Sequence, residues 1–139
     1  MSKENVERFR EAVEATNARD IEAALKVMHP DIEWRGLDIF PDAGTYHGPE
    51  GVLAFFQTWW DTFRGFQLHL ENCAAVAEDR VLARLRVSGI GAESGVEVES
   101  PQFFQLIEFR DGQMIWARMF LTESEALEAA GLRAPQSRC

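Results

Sequence analysis

The sequence predicts an α+β domain, a cone-shaped, curved antiparallel sheet wrapped around N-terminal helices. Three observations predict it. Helical periodicities cluster before Gly65. Four long strand-like runs joined by short turns follow. The last of these runs, FFQLIEF and QMIWARMFL, are apolar on both faces, so the sheet is covered twice.

The elements follow in order. Residues 3–18 place Val6, Phe9, Val13 and Thr16 on one helical face, with Glu and Arg on the other. Asp20 is a suitable N-cap for a short second helix over 21–28, with Leu25 and Met28 as its buried stripe. His29-Pro30-Asp31 stops that helix, because a residue before proline is pushed out of the helical region. Residues 32–36 alternate and predict a strand, with Ile32 and Trp34 inward and Glu33 and Arg35 outward. Residues 37–47 read as a loop. A third helix starts at Gly48-Pro49, carries a stripe of Val52, Phe56, Trp59 and Phe63, and ends at Gly65. Strands are expected over 66–77, 81–90, 96–109 and 114–121, as an antiparallel meander. Thr122 and Glu125 fit a capping box for a last helix over 123–130, closed by Gly131. Residues 1–133 form the single expected domain, and 134–139 a flexible tail.

The final hairpin carries most information about a site. A three-residue turn at Arg110-Asp111-Gly112, with glycine left-handed, sets Gln105 opposite Ala117 and Phe103 opposite Met119. That face is a greasy wall with one amide in it. A two-residue turn instead sets Arg118 beside Gln105.

Bulk properties exclude several classes. The 139 residues carry a formal charge of −9, which repels nucleic-acid backbones and anionic lipid. The three histidines and two cysteines lack metal-ligand spacing and give no disulfide framework, so neither a metal nor a cofactor is expected. No apolar run is long enough to span a membrane. The charged N-terminal residues lack a signal-peptide core, so the expected location is cytoplasmic.

Asn17-Ala18-Arg19-Asp20, His29 to Trp34, Tyr46-His47-Gly48-Pro49-Glu50-Gly51, Ser94-Gly95-Val96 and Arg110-Asp111-Gly112 together resemble the SnoaL-like family. That family lies in the nuclear transport factor two-like superfamily, beside ketosteroid isomerases and polyketide cyclases. The resemblance implies a cystatin-like cone, a deep hydrophobic pocket and dimerisation through the outer sheet face. It does not imply one reaction. The isomerase general base corresponds to Gly36, its oxyanion tyrosine to Ala12 and its second oxyanion carboxyl to Gln105. The cyclase aspartate corresponds to Met119. None of these positions retains its acid–base group.

The candidate catalytic residues are therefore Asp38, Tyr46 and Gln105. Asp38 is the nearest carboxylate to the strand end and would act as base in cofactor-free isomerisation, dehydration or cyclisation. Tyr46 and Gln105 would donate hydrogen bonds to a ligand oxygen. The ordinary alternatives are a solvated loop acid, a wall aromatic and a satisfied buried amide. Trp34, Phe56, Trp59, Phe63, Phe103 and Met119 are the expected ligand-pocket residues, for a small apolar carbonyl compound. The alternative function is non-catalytic ligand binding or a dimeric accessory role. Phe104, Leu106, Trp116, Arg118 and Phe120, among Arg84, Arg86 and Glu108, lie on the other face and predict a homodimer interface.

Overall fold

The computed structural model describes residues 2–36 and 44–131. Helix α1 (Ser2–Ala18) and the short α2 (Ile21–Lys26) lead into strand β1 (Met28–Arg35). β2 (Thr45–His47) runs directly into α3 (Gly48–Thr62), and β3 (Phe63–Ala77) and β4 (Arg80–Gly91) form a long hairpin. β5 (Glu97–Glu99), β6 (Phe103–Arg110), β7 (Gln113–Phe120) and α4 (Glu123–Ala129) complete the described chain. The sheet order is β2-β1-β7-β6-β4-β3, with β5 attached to β4. The expected α+β class with a curved, meandering sheet holds. The sheet is mixed, because β1 lies parallel to β7 while the other pairs are antiparallel.

The apolar stripe of α1 drives its docking. Phe9, Val13 and Thr16 are buried against the concave sheet face together with Ile32, Trp34, Val52, Phe56 and Ile107. Burying one such large aliphatic or aromatic side chain stabilises the fold by about 1.5–3 kcal/mol. Asn17 locks the helix end to β3, donating from Nδ2 to the Leu68 carbonyl at 3.0 Å and accepting the Leu68 N–H at 2.7 Å.

Several boundaries differ from the sequence expectation, each for a local reason. Asp20 does cap α2 through the Ala23 N–H, but the helix stops at Lys26. Ala24 and Val27 are buried instead of Leu25, which is 40% exposed, and Met28 is buried as a strand residue. His29-Pro30-Asp31 lies inside β1. Proline is tolerated there because the β1–β7 register is interrupted between Met28 and Glu33. Gly65 does not end α3. It takes φ 62° inside β3, where the register with β4 shifts between Arg64 and Gln67, as a bulge glycine does. The strand expected over 96–109 is two strands, broken at Ser100-Pro101-Gln102.

The final hairpin corrects the expected pairing. Arg110 pairs with Gln113 across a two-residue Asp111-Gly112 turn, and both turn residues have positive φ, 53° and 77°. This is the primed geometry that matches strand twist. Ile115 is then skipped between the Phe109↔Met114 and Glu108↔Trp116 pairs. The bulge shifts the register by one more residue, so Gln105 faces Met119, not Ala117 or Arg118. The two changes together move the pairing by an even number, which keeps Gln105, Ala117 and Met119 on one face.

The outer face is also more covered than expected. Leu82, Leu106 and Phe120 form a second core with Ala126 of α4 and its C-cap Ala130. Thr122 Oγ1 accepts the Glu125 N–H at 3.2 Å, the expected cap, while Glu125 Oε1 accepts from the Thr122 hydroxyl at 3.1 Å in place of the backbone N–H of a full capping box. Arg80 Nη1 donates to the Ala130 carbonyl at 3.0 Å and pins the helix end.

Candidate functional site: an uncharged cavity in the cone

The concave face and the helices do not fill each other. A cavity of about 300 Å³ remains between α1, α3 and the sheet. Helix α1 contributes Phe9, Ala12, Val13 and Thr16. The other wall is aromatic. Trp34 meets Phe56 edge-on with centroids 5.3 Å apart, Phe55 meets Phe56 at 5.3 Å, and Trp59 stacks on Phe63 at 5.8 Å. Met28, Met114 and Met119 add adaptable thioethers.

The structure brings together Trp34, Phe56, Trp59, Phe63, Phe103, Gln105 and Met119, all of which line this cavity. Tyr46 does not line it among the described residues. Its half-buried ring packs against Phe55 at 5.2 Å and its backbone lies against Gly51. His47 sits beside Glu33, with Nδ1 3.6 Å from Oε1. Asp38, the proposed base, lies outside the described residues, as do most of the 37–47 loop and the 134–139 tail.

Beyond the α1 and α2 residues, Phe55, Met114 and Leu121, which were also not expected in the pocket, the sequence pattern missed two further groups of lining residues. Phe66, Leu68 and Val87 enter from the β3–β4 hairpin, and Val98, Ser100, Pro101 and Gln102 from the segment around β5. Pro101, lying in what reads as one continuous strand, was the available signal for the second group.

The electrostatics of the cavity are simple. Among the described residues no side chain that carries charge at neutral pH lines it. Its hydroxyl and amide side chains are Thr16, Ser88, Ser100, Gln102 and Gln105. Thr16 Oγ1 donates to the Ala12 carbonyl at 2.8 Å, and Ser88 Oγ lies 2.6 Å from His69 Nε2. Ser100 Oγ accepts the Val87 N–H at 2.9 Å and donates to the Pro101 carbonyl, and Gln102 Nε2 donates to Glu71 Oε1 at 2.8 Å. Gln105 differs. It is 4% exposed, and its side-chain amide makes no hydrogen bond among the described residues. The indole Nε1 of Trp34 is likewise buried without a partner.

Charge gathers outside the cavity, on β3, β4 and β5. Glu71 accepts from Arg86 Nε at 2.6 Å, and Arg86 Nη1 lies 2.8 Å from Glu99. The Arg86 hydrogen bond holds the Glu71 carboxyl below the usual glutamate range, and the two carboxylates raise the Arg86 guanidinium. Burial pushes the Cys73 thiol up to about 11. Among the described residues no group of three or more His, Cys, Asp or Glu side chains could hold a metal ion. Among the described residues, too, no helix is long and apolar enough to cross a membrane.

Comparison with solved structures places the fold. Bal32a, from a soil-derived mobile gene cassette, superposes with a TM-score of 0.76 at 21% identity, covering 90% of this chain and 94% of that one. A protein from Jannaschia sp. CCS1 described as a SnoaL-like polyketide cyclase gives 0.74 at 23% identity, covering 97% and 95%. TerC, co-crystallised with polyporic acid, gives 0.73 at 23% identity, covering 86% and 92%. A search of curated proteins gives no match. The SnoaL-like domain family model matches residues 6–117, most of the chain, from within α1 to within β7. With the cone, the pocket and that match in hand, the chain belongs to the SnoaL-like domain family.

Proposed function

We propose that this protein binds a neutral, mainly apolar small molecule that carries one hydrogen-bonding oxygen, received by Gln105. One observation carries the reading: among the described residues, Gln105 is the one lining amide without a hydrogen bond, and it is buried in a mainly aromatic and aliphatic wall. A buried amide gains most from a ligand that completes its hydrogen bonds, because leaving it unpaired is costly. A charged ligand would lose its hydration and meet no countercharge among the described lining residues.

Non-catalytic binding is the first reading. The second is cofactor-free isomerisation, dehydration or cyclisation of an apolar carbonyl compound. Gln105 would polarise the carbonyl, and Asp38 would remove the proton. Tyr46, which is not among the described lining residues, is the second donor in that scheme only if its hydroxyl reaches the ligand. The family supports a pocket of this kind, and the replacement of its acid–base positions by Ala12, Gly36 and Met119 favours binding over turnover. We also propose a homodimer through the outer face, where Phe104, Trp116 and Arg118 remain half-buried beside α4.

Native mass spectrometry of the purified protein, with and without added neutral aromatic ketones, tests the reading. A one-to-one adduct is expected, and Gln105→Leu should weaken it about tenfold, the loss of one buried hydrogen bond. Equal affinity for the ketone and for its carboxylate analogue would sink the proposal. Proton exchange into the bound ketone separates the two readings, since only the catalytic one accelerates it and Asp38→Asn should then abolish the effect.

A further inference from the structure

Among the described residues, one segment carries most of the exposed lining of the cavity. Among the described lining residues, the most exposed are Val98, Pro101, Gln102 and Leu121. Three of these four belong to residues 96–102, which carry β5. Val98 is 43% exposed on the outside yet lines the cavity on the inside, so it is a thin wall.

The segment is attached differently from the rest of the sheet. β6 leaves β4 at Leu85, and β5 takes over the same edge only from Ser88 to Ile90. All three residues of β5 are exposed. Its apolar anchoring is slight, so polar contacts fasten it. Ser100 takes both backbone groups of Val87, donating its N–H to the carbonyl at 2.8 Å while its Oγ accepts the N–H at 2.9 Å. Glu71 on β3 is the hub of a second fastening. It accepts from Gln102 Nε2 at 2.8 Å and from Arg86 Nε at 2.6 Å, with Arg84 Nε 3.8 Å away. Arg86 passes the link on to Glu99 at 2.8 Å, and that carboxylate is 61% exposed. Both ends of the 99–102 stretch are therefore tied to the outer face by solvent-facing charges. Behind them, the β4–β5 turn bends at Gly91 and at Gly95, where φ is 71°.

Tight apolar packing opens slowly, whereas exposed ion pairs open readily and are screened by salt. We propose that residues 96–102 are a strap over the cavity mouth, latched by Glu71, Arg86, Glu99 and Gln102, and that a ligand passes when the latch opens. The strap rests on the reading of the cavity as a ligand pocket. It adds the route and the device that sets the rate. Glu99 and Arg86 do not line the cavity, so weakening their pair speeds arrival and departure alike and leaves affinity in place.

Two measurements test it on the full chain. Hydrogen–deuterium exchange reads the strap without any ligand. The Ser100 and Gly91 amides, bonded to Val87 and Val96, are expected to exchange faster than the Leu106 and Ile107 amides of β6, and faster still in Glu99→Gln. Equal protection in strap and β6 overturns the proposal. Stopped-flow fluorescence with the neutral probe N-phenyl-1-naphthylamine reads passage. Glu99→Gln should raise both association and dissociation rates about two- to fivefold, the worth of one exposed ion pair. Added salt should speed the wild type and not the variant. A cross-strand disulfide at the Ile90↔Glu97 pair, made as Ile90→Cys and Glu97→Cys in a Cys139→Ser background, should slow both rates until reductant restores them. Unchanged rates in both variants overturn the strap. Failure of any neutral probe to bind sinks the ligand reading instead, while the exchange comparison still decides whether the strap opens.

Discussion

A buried amide left without any partner costs about 1–3 kcal/mol, and Gln105, 4% exposed on the cavity wall, makes no side-chain hydrogen bond among the described residues. Its retention at the centre of an oily wall makes sense if a ligand completes its hydrogen bonds. Gln105→Leu is accordingly expected to stabilise the empty protein by about 1 kcal/mol in urea denaturation while it weakens ligand binding. A destabilised variant would show that the amide serves the protein's own packing. Cys73 makes a second, independent case. With its thiol pushed up to about 11 by burial, little thiolate exists at neutral pH. In a Cys139→Ser background, alkylation by iodoacetamide at pH 8 should run roughly two orders of magnitude slower than for free cysteine, whose pKa is about 8.5. At this scale the sequence showed Gln105 plainly, because one polar residue interrupts an apolar alternation. It did not show that Tyr46 is absent from the described cavity lining, since nothing local fixes which way a ring turns.

Elements were legible where a hydrophobic period or a cap names them, as in α1, α3 and α4. They were obscured where backbone irregularity decides. The Ile115 bulge is invisible in QMIWARMFL, yet it sets which residue Gln105 faces. Pro30 and Gly65 read as helix stops but serve as strand irregularities, because interrupted ladder pairing tolerates both. The Asp111-Gly112 turn carries its own prediction. Gly112 has φ 77°, so Gly112→Ala should destabilise the hairpin by about 1 kcal/mol in thermal unfolding, with the fold retained. The polar fastening of β5 carries another. Glu71 faces Arg86 and Arg84 from β4 and Gln102 from beyond β5, with His69 cross-strand from Arg86 and Glu99 on its far side. The Glu71 carboxyl is lowered, so the contribution of this fastening is full above the ordinary glutamate value of about 4.3. It is lost as pH falls through the lowered value. Exchange at the Ser100 amide, corrected for intrinsic rate, should therefore rise below about pH 4 while exchange in β6 does not.

At the scale of the molecule, one sheet has two faces with different work. The concave face meets α1 and α3 and leaves a hollow, because rings from α3 and the sheet rim the space without filling it. The convex face carries α4, pinned by Arg80, and the Glu71–Arg86 ion pair. If that face joins two copies, sedimentation equilibrium will give twice the chain mass, and Trp116→Glu will give the chain mass with unchanged helix content. The sequence made the cone legible through element order. It could not make the hollow legible, because a cavity is set by how far helices stand from a sheet, and periodicity is silent on that distance.

The most direct measurement of the central claim uses the three methionines that line the hollow, Met28, Met114 and Met119. Methyl NMR of the methionine-labelled protein, titrated with a neutral aromatic ketone and separately with its carboxylate, reads the interior itself. All three signals should move with the ketone, and none with the carboxylate. Still signals under the ketone, or equal movement under both compounds, would contradict an uncharged ligand pocket.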